Sequence, residues 1–599
     1  MIIFAAILFF ILHFFPGYAF QKQFYKEARS AERLFIPAVL SLFLTPALFT
    51  GLTFAIGFES SLIFLPVIIT MIGAYIFLKT GKQIPKISAQ SVKSKIKKPV
   101  FVISASLFLI LLLLFFLALP QFAFSRITDS HFHAAAVNEI RTYKSLPPDT
   151  ACLPGEKLKY SWFPHLMTYL ISEYSGLPTY SIFSFYGLYL FILFAYSVYI
   201  LGNTYLSGNN AILSAFLAVI LVYFYASFFL FSTQGYALPI ISLAFYFMVK
   251  SFNNNGRKYK ILAGFLVSSL IYIHGLSFVF CLIALISITT YSLASTGNLR
   301  RKMQSAAHYL LPLSAAFPFY LLNTASSKGL YMFQPLSGLF LYVSQMQYFS
   351  ILLVILPFAA AKALKEKNGG QIQLLFSLVA IFAFVIMFVM PRNPNIYRNI
   401  FLSIFPLSLF GFYYLKGFSH IKIAAAAFLL ILPWIFVYVD DLKNTFSAEN
   451  FYGLQQYSAS EWAGNNSSPH DRILAAPNPL YSGVSERKMI VCSDDFLRGW
   501  GYDQQRLKSS FGDTLSLFNS PSKDLIEKYM VKYIIYGDEE NKFLQKYDVQ
   551  PFDFAASSAF AAEYKSGNYT VYSVKDIKSL PEKPAVAFNF TRYSRWWEI

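Results

Sequence analysis

The stretch that decides the fold is Val100–Leu119, VFVISASLFLILLLLFFLAL, which carries no charged side chain. Crossing the hydrocarbon layer of a membrane takes about 20 mostly apolar residues, because each backbone polar group must be satisfied inside the helix itself. The stretch meets this requirement and predicts a transmembrane helix.

Similar apolar runs on both sides of this stretch predict about fourteen spans in all. The composition agrees, since 56% of the residues are hydrophobic and 13% are charged, about half the 25% charged residues typical of soluble proteins. We therefore predict a mostly α fold, a polytopic transmembrane helical bundle. The other predicted spans are 2–20, 34–56, 61–78, 180–206, 210–231, 236–251, 261–275, 277–294, 308–323, 346–361, 372–390, 399–415 and 423–439.

The net charge of +19 marks the orientation of the chain rather than a nucleic-acid partner. Alternate loops hold 23 lysines and arginines against three acids, Glu27, Glu32 and Glu366. Loops rich in Lys and Arg remain on the cytoplasmic side. The pattern predicts a plasma-membrane protein whose N-terminus and C-terminal tail are extracytoplasmic, with the lipid bilayer as a partner and no nucleic acid.

Three regions follow from this topology. Residues 1–99 hold about three N-terminal spans and a basic cytoplasmic loop, and residues 100–439 hold a transmembrane core with an outer loop, 121–178. Residues 440–599 carry 18 Lys and Arg against 21 Asp and Glu, which predicts a water-soluble extracytoplasmic α/β domain. Within it, strands are expected at Arg472–Ala476, Met489–Cys492 and Lys532–Tyr536, and a helix capped by Ser522.

The outer loop begins with a cluster of polar residues, Asp129-Ser-His131-Phe-His133, followed by Glu139. On a helix, His133 lies one turn beyond Asp129 on the same face. An acid backed by two histidines suits proton abstraction or a divalent metal ion held by Asp129, His131 and His133. The alternative is that Asp129 only caps an interfacial helix and the histidines face water.

Other polar residues lie at the outer ends of predicted spans. His165 follows Tyr160-Ser-Trp-Phe-Pro, His274 ends a span, and Arg392 and Arg398 lie in PRNPNIYR where positive charge is otherwise scarce. Guanidinium groups there suit bidentate binding of a lipid-linked phosphate. The alternative for both arginines is snorkelling at a helix end.

Two of the three cysteines, Cys152 and Cys492, are predicted to face outward and are able to pair. A coincidence explains two outward cysteines equally well. Cys281 lies in a predicted span and is expected to be a packing residue.

At this point the chain resembles the GT-C superfamily of multi-spanning membrane glycosyltransferases, especially its uncharacterised prokaryotic members. The resemblance is carried by the segments 128–133 and 160–165, by the Arg398 segment, and by the tail stretches 485–487, 499–501 and 528–536. One departure is that Asp129 follows about the fourth predicted span, whereas the catalytic acid of many members follows the first. Asp129 also stands without the paired acid that some members have.

The resemblance implies a sugar donor on a polyprenyl phosphate and a glycan, lipid or protein acceptor. Asp129 would be the general base on an acceptor hydroxyl. Arg398, with Arg392, His133, His165, His274 and Glu139, would bind the substrate or the donor phosphate. The resemblance does not require a cofactor, and a divalent metal ion is the one candidate.

Two other functional classes stay open. A transporter or flippase for lipid-linked or anionic solutes predicts ionisable residues well inside the spans, and we find essentially none between residues 100 and 440. A non-catalytic sensor or assembly protein would use the tail to bind a partner.

Overall fold

The computed structural model describes residues 2–25, 32–80, 130–153, 155–204, 211–212, 215, 232–254, 256–294, 298–316, 453–492 and 502–584. Its described residues divide into two compact units. The helical unit contains those before residue 124 and those from 170 to 316. The mixed unit contains those from 130 to 169 and those from 453 to 584.

Helices dominate the described residues. The helices of the first half are α1 (Ile2–Phe24), α2 (Glu32–Ile56), α3 (Phe58–Thr80), α4 (Ser130–Tyr143), α5 (Phe163–Ser175), α6 (Thr179–Gly202), α7 (Thr233–Asn254), α8 (Arg257–Ser269), α9 (Gly275–Ala294) and α10 (Leu299–Leu310). The second half contains α11 (Leu454–Asn465), α12 (Pro479–Ser485), α13 (Gln504–Asn519), α14 (Lys523–Tyr529) and α15 (Asp538–Lys546).

Four of these helices contain a segment long and apolar enough to cross a membrane, within the part of the chain that the structure describes: Glu32–Ile56, Phe58–Ile76, Thr179–Gly202 and Thr233–Phe252. A shorter apolar helix covers Ser277–Leu293. The chain is therefore a membrane protein with a mostly helical fold. Six predicted spans (100–119, most of 210–231, 346–361, 372–390, 399–415 and 423–439) lie outside the described residues.

One predicted span has different bounds in the structure. We predicted a span over 308–323, but α10 already begins at Leu299 and ends at Leu310, and a 3-10 turn covers Leu311–Ala316. Pro312 lies just after the end of α10 and has no backbone N–H to continue the helical hydrogen bonds. The described part of the predicted span therefore consists of the last turn of α10 and this 3-10 segment, and residues 317–323 lie outside the described residues.

The N-terminal helices pack closely against each other and against α7. A Cβ atom added to Gly17 would lie 1.9 Å from the carbonyl oxygen of Pro37, so only glycine permits this approach of α1 to α2. The hydroxyl of Tyr236 in α7 donates a hydrogen bond of 2.9 Å to the carbonyl of Leu42 in α2. These helices therefore belong to one bundle with a helix of the predicted core.

The mixed unit contains a five-stranded sheet of β1 (Arg472–Leu474), β2 (Lys488–Met489), β3 (Val531–Tyr536), β4 (Phe560–Ser566) and β5 (Tyr569–Val574). The strand order is β2-β1-β3-β5-β4. Strand β1 pairs in parallel with β2 and β3, whereas β5 pairs antiparallel with β3 and β4. Helices α12, α13 and α14 occupy the connections between the parallel strands.

Local sequence explains several of these elements. Strand β3 is rich in Val, Tyr and Ile, and four of its six side chains are buried, as expected of a central strand. Gly567 has a φ of 56° in the turn between β4 and β5, a conformation that favours glycine. The Ser522 side chain accepts a hydrogen bond from the Leu525 backbone N–H, which confirms the predicted cap of α14.

Candidate functional site

Helix α4 carries most of the predicted site residues of the outer loop. It begins at Ser130, directly after Asp129 in the sequence, and contains His131, His133 and Glu139. All three of these side chains are buried. Asp129 itself lies outside the described residues.

The structure brings together two of the predicted histidines. His133 Nδ1 lies 2.8 Å from His165 Nε2, so one of these nitrogens donates a hydrogen bond to the other. His165 is at the start of α5, and both histidines are at most 2% exposed. Residues that lie 32 positions apart in the sequence therefore form one buried pair.

Burial controls the charge of these histidines. It lowers the pKa of His131 to about 3. Burial also lowers the pKa of His165 well below its usual value, His133 adds to this effect, and a hydrogen bond to the Ser161 backbone opposes it. His131 and His165 are therefore neutral at physiological pH, and they bind other groups through one N–H donor and one acceptor nitrogen rather than through positive charge.

Aromatic and polar groups surround the histidine pair. The ring of Tyr160 lies 6.1 Å from the rings of both His133 and His165, and the ring of Phe132 lies 5.6 Å from that of His133. The buried Trp162 Nε1 and Ser130 Oγ find no hydrogen-bond partner among the described residues. Unsatisfied buried donors are rare in native proteins, and Ser130 directly follows Asp129 in the sequence.

Glu139 forms a buried ion pair with the tail instead of facing the histidines. The Lys488 Nζ atom lies 3.0 Å from Glu139 Oε2, and the two side chains are only 7% and 5% exposed. Lys488 also contacts Asp149 at 3.2 Å and lies 3.7 Å from the centre of the Tyr143 ring. One lysine of the sheet thus meets three groups that belong to the outer loop.

The electrostatics of this cluster follow from its burial. Burial raises the pKa of Glu139 to about 7, although Lys488 acts to lower it. Burial alone would lower the pKa of Lys488, but Glu139, Tyr143 and Asp149 together raise it. Lys488 therefore stays charged, and removing it would leave Glu139 buried without its counter-ion.

A disulfide and backbone hydrogen bonds join the same two segments. Cys152 and Cys492 are bonded, with their Cα atoms 4.5 Å apart and 340 positions apart in the sequence. The backbone N–H groups of Met489 and Cys492 donate to the carbonyls of Ala151 and Cys152 at 3.2 and 3.3 Å. The outer loop is therefore hydrogen-bonded to the edge strand β2 and to the residues that follow it.

Side chains of α4 also bind the tail directly. The Asn138 side-chain amide donates to the Gly483 carbonyl at 3.2 Å, and Arg141 forms a 2.8 Å ion pair with Glu486 at the surface. The second half of α4 is therefore bound to the C-terminal part of the chain.

His274 belongs to the helical unit and serves there as a helix cap. Its Nδ1 atom lies 2.8 Å from Ser277 Oγ and accepts a hydrogen bond from the Ser277 backbone N–H at 3.3 Å. This bond satisfies one of the open N–H groups in the first turn of α9. Arg392 and Arg398 lie outside the described residues.

The described residues do not form a metal site, since no three His, Cys, Asp or Glu side chains among them are arranged to hold an ion. The predicted set of Asp129, His131 and His133 includes one residue that the structure does not describe.

Sequence reasoning missed Lys488, Asp149 and Tyr143. Lys488 stands at the start of a predicted strand in an Arg-Lys pair that looks like a solvated surface. Its only clue is the nearby Cys492, because a Cys152–Cys492 bond would have brought this strand to the outer loop.

No protein-family model matches the chain, and no curated protein matches it in sequence. Among solved structures, ArnT from Cupriavidus metallidurans in the apo state is 12% identical, covers 80% of this chain and 100% of its own, and has a TM-score of 0.53. ArnT bound to undecaprenyl phosphate, also 12% identical, covers 78% of this chain and 98% of its own, with a TM-score of 0.51. This likeness confirms the resemblance to the GT-C superfamily at the level of the fold.

Proposed function

We propose that the protein is a glycosyltransferase of the plasma membrane. It transfers a sugar from a polyprenyl-phosphate-linked donor to a glycan, lipid or protein acceptor on the outer face. The observation that carries this proposal is the fold shared with ArnT, since the match to its structure with undecaprenyl phosphate covers 98% of the ArnT chain. Because a shared fold alone does not fix an activity, the proposal also depends on the residues around Asp129.

The disulfide supports an extracytoplasmic position for the mixed unit. Disulfides persist in oxidising compartments and are rare in the cytosol, and Cys152–Cys492 joins the outer loop to the tail. The charge distribution of the loops supports the same orientation, with the N-terminus and the tail outside. A donor on a lipid carrier suits a site on this face.

In the proposed reaction the Asp129 carboxylate accepts the proton of an acceptor hydroxyl. The hydroxyl oxygen then attacks the anomeric carbon, the bond from that carbon to the phosphate oxygen breaks, and polyprenyl phosphate leaves with inversion at the sugar. Arg398 and Arg392 are the proposed ligands of the departing phosphate, whose charge they would stabilise in an apolar environment.

The buried histidines have a positioning role in this proposal. His133 and His165 are buried, and their hydrogen bond joins α4 to α5. Since α4 begins directly after Asp129, this bond and the Glu139–Lys488 pair fix the helix that follows the base. We therefore propose that Glu139 and the two histidines hold this helix in position and do not contact the substrate.

The test compares Asp129→Asn with Asp548→Asn, which makes the same change at an exposed residue of the mixed unit. Purified protein in lipid nanodiscs is given polyprenyl-phosphate sugars, and released polyprenyl phosphate is measured. We expect Asp129→Asn to lose about 100-fold or more in turnover, the lower range for a general base, and Asp548→Asn to match the wild type. Near-normal turnover by Asp129→Asn would overturn its role, and lipid translocation without sugar transfer would favour the flippase class.

A further inference from the structure

Helix α10 of the helical unit has a surface that the proposed reaction does not use. The Asn298 side chain caps this helix by accepting a hydrogen bond from the Arg300 backbone N–H at 2.9 Å. Its 12 residues span about 18 Å, which is too short to cross a membrane. The helix directly follows the apolar helix α9 in the sequence.

One side of α10 is fixed to neighbouring helices. The Lys302 ammonium group donates to the Leu293 carbonyl at the end of α9 at 2.9 Å. Ser305 Oγ accepts a 2.7 Å hydrogen bond from Lys260 in α8. These bonds hold α10 beside the end of α9, which places it at a membrane boundary if α9 lies in the bilayer.

The adjoining side of α10 is apolar and exposed. Leu299, Met303 and Leu310 are 71%, 57% and 39% exposed, and their spacing puts them on one face of the helix. A set of large apolar side chains turned away from the protein marks an interaction surface. Hydrocarbon chains of lipids would cover such a face without any further protein.

A basic edge runs beside this apolar face. Arg300 and Arg301 are exposed, and neither forms an ion pair with any residue that the structure describes. Lys260 of α8 lies beside α10, where it donates to Ser305, and partial burial, Arg257 and Lys260 lower the pKa of His308 in α10. Their sign calls for an anionic partner.

We propose that α10 lies in the headgroup region of the inner leaflet, with Leu299 and Met303 in the acyl chains and Arg300 and Arg301 on the phosphates of anionic phospholipids. An apolar face flanked by arginines is the pattern of helices that bind this region. The predicted inner position of the loop agrees, because anionic lipids and cationic loops meet on that side. This proposal does not depend on sugar transfer.

The first test measures lipid preference of the full chain by native mass spectrometry. The protein is extracted from nanodiscs of phosphatidylcholine alone or with roughly 30% phosphatidylglycerol, and the retained lipids are counted. We expect phosphatidylglycerol to be enriched, and its affinity to fall about fivefold for each arginine removed in Arg300→Gln/Arg301→Gln. The double variant Lys578→Gln/Lys583→Gln removes two exposed charges from the mixed unit and should leave retention unchanged. Equal retention by the wild type and the α10 variant would overturn the proposal.

A second test identifies the occupant of the apolar face. A photoreactive amino acid at position 303 is activated in native membranes, and the mass of the adduct is determined. A phospholipid adduct supports the proposal, whereas an adduct with another polypeptide shows a protein partner and contradicts it. An unchanged thermal unfolding temperature confirms that the substituted chain is folded.

Discussion

A buried glutamate of the helical unit and one of the mixed unit have different kinds of partner. In the helical unit, Glu32 accepts hydrogen bonds from tyrosine hydroxyls, as when Tyr246 donates to it at 2.9 Å. In the mixed unit, opposite charges pair directly, as Lys488 and Glu139 do. The helical unit is built from long apolar helices. The mixed unit is built from two segments, the outer loop and the tail, that are far apart in the sequence.

This difference indicates which substitutions should lower the free energy of unfolding most. Removing the Tyr246 hydroxyl leaves Glu32 with the Tyr25 hydroxyl as a remaining donor, and the loss of one buried hydrogen bond costs about 1–3 kcal/mol. Removing one member of a buried ion pair leaves an uncompensated charge, which costs about 3–5 kcal/mol. The mixed unit should therefore respond most strongly to single substitutions at the contacts between outer loop and tail.

The largest expected effect is that of Lys488→Met. We expect a loss of about 3–5 kcal/mol in the free energy of unfolding, because Glu139 stays buried without its partner. Urea unfolding in detergent, followed by tryptophan fluorescence, measures this. The control Arg141→Met removes an exposed ion pair between the same helix and the tail, and should cost at most about 1 kcal/mol.

A second variant tests whether the loss of stability comes from the unpaired Glu139 charge or from the changed shape of residue 488. The double change Lys488→Met/Glu139→Gln leaves two neutral groups and should recover most of the lost stability. If Lys488→Met is as mild as Arg141→Met, the buried pair does not hold the two segments together, and the comparison between the units fails.

A smaller effect is expected from the pH dependence of the mixed unit. Burial raises the pKa of Glu540 to about 7, although Tyr481 and the Ala476 N–H bind its carboxylate and lower it. The folded state therefore holds a proton that the unfolded state releases above its own pKa. This contribution to the free energy of unfolding is fully present below about pH 4.5 and should fall by about 2–3 kcal/mol as the pH rises to about 7.

The variant Glu540→Gln should abolish this part of the slope, because its side chain does not titrate. Unfolding free energies measured across the same pH range, with the exposed Glu582→Gln as the control, isolate the contribution. An identical slope in the wild type and Glu540→Gln would show that Glu540 does not titrate in this range.

Much of the helical unit is predictable from the sequence, since α1, α2 and α3 follow the apolar runs closely. The bounds of α10 were harder to predict. Hydropathy alone does not show that a helix begins beside Arg300 and ends before Pro312. The strands near Arg472 and Lys532 and the Ser522 cap depend on local patterns and were also predicted.

The site was only partly predictable. The sequence singled out His133, His165 and Glu139, but their partners are set by tertiary structure that spacing does not encode. Lys488 looks like a surface residue because nothing local shows that Glu139 will reach it. The Cys152–Cys492 pair had an equally good explanation as coincidence, since two cysteines alone do not indicate proximity.

The proposed orientation and site both require that the outer loop and the tail form one unit in an oxidising compartment. Its most direct test is peptide mapping by mass spectrometry of the protein isolated from membranes, alkylated before any reduction. We predict a linked peptide pair containing Cys152 and Cys492, with Cys281 recovered as an alkylated free thiol. Recovery of all three cysteines as alkylated thiols would contradict the account.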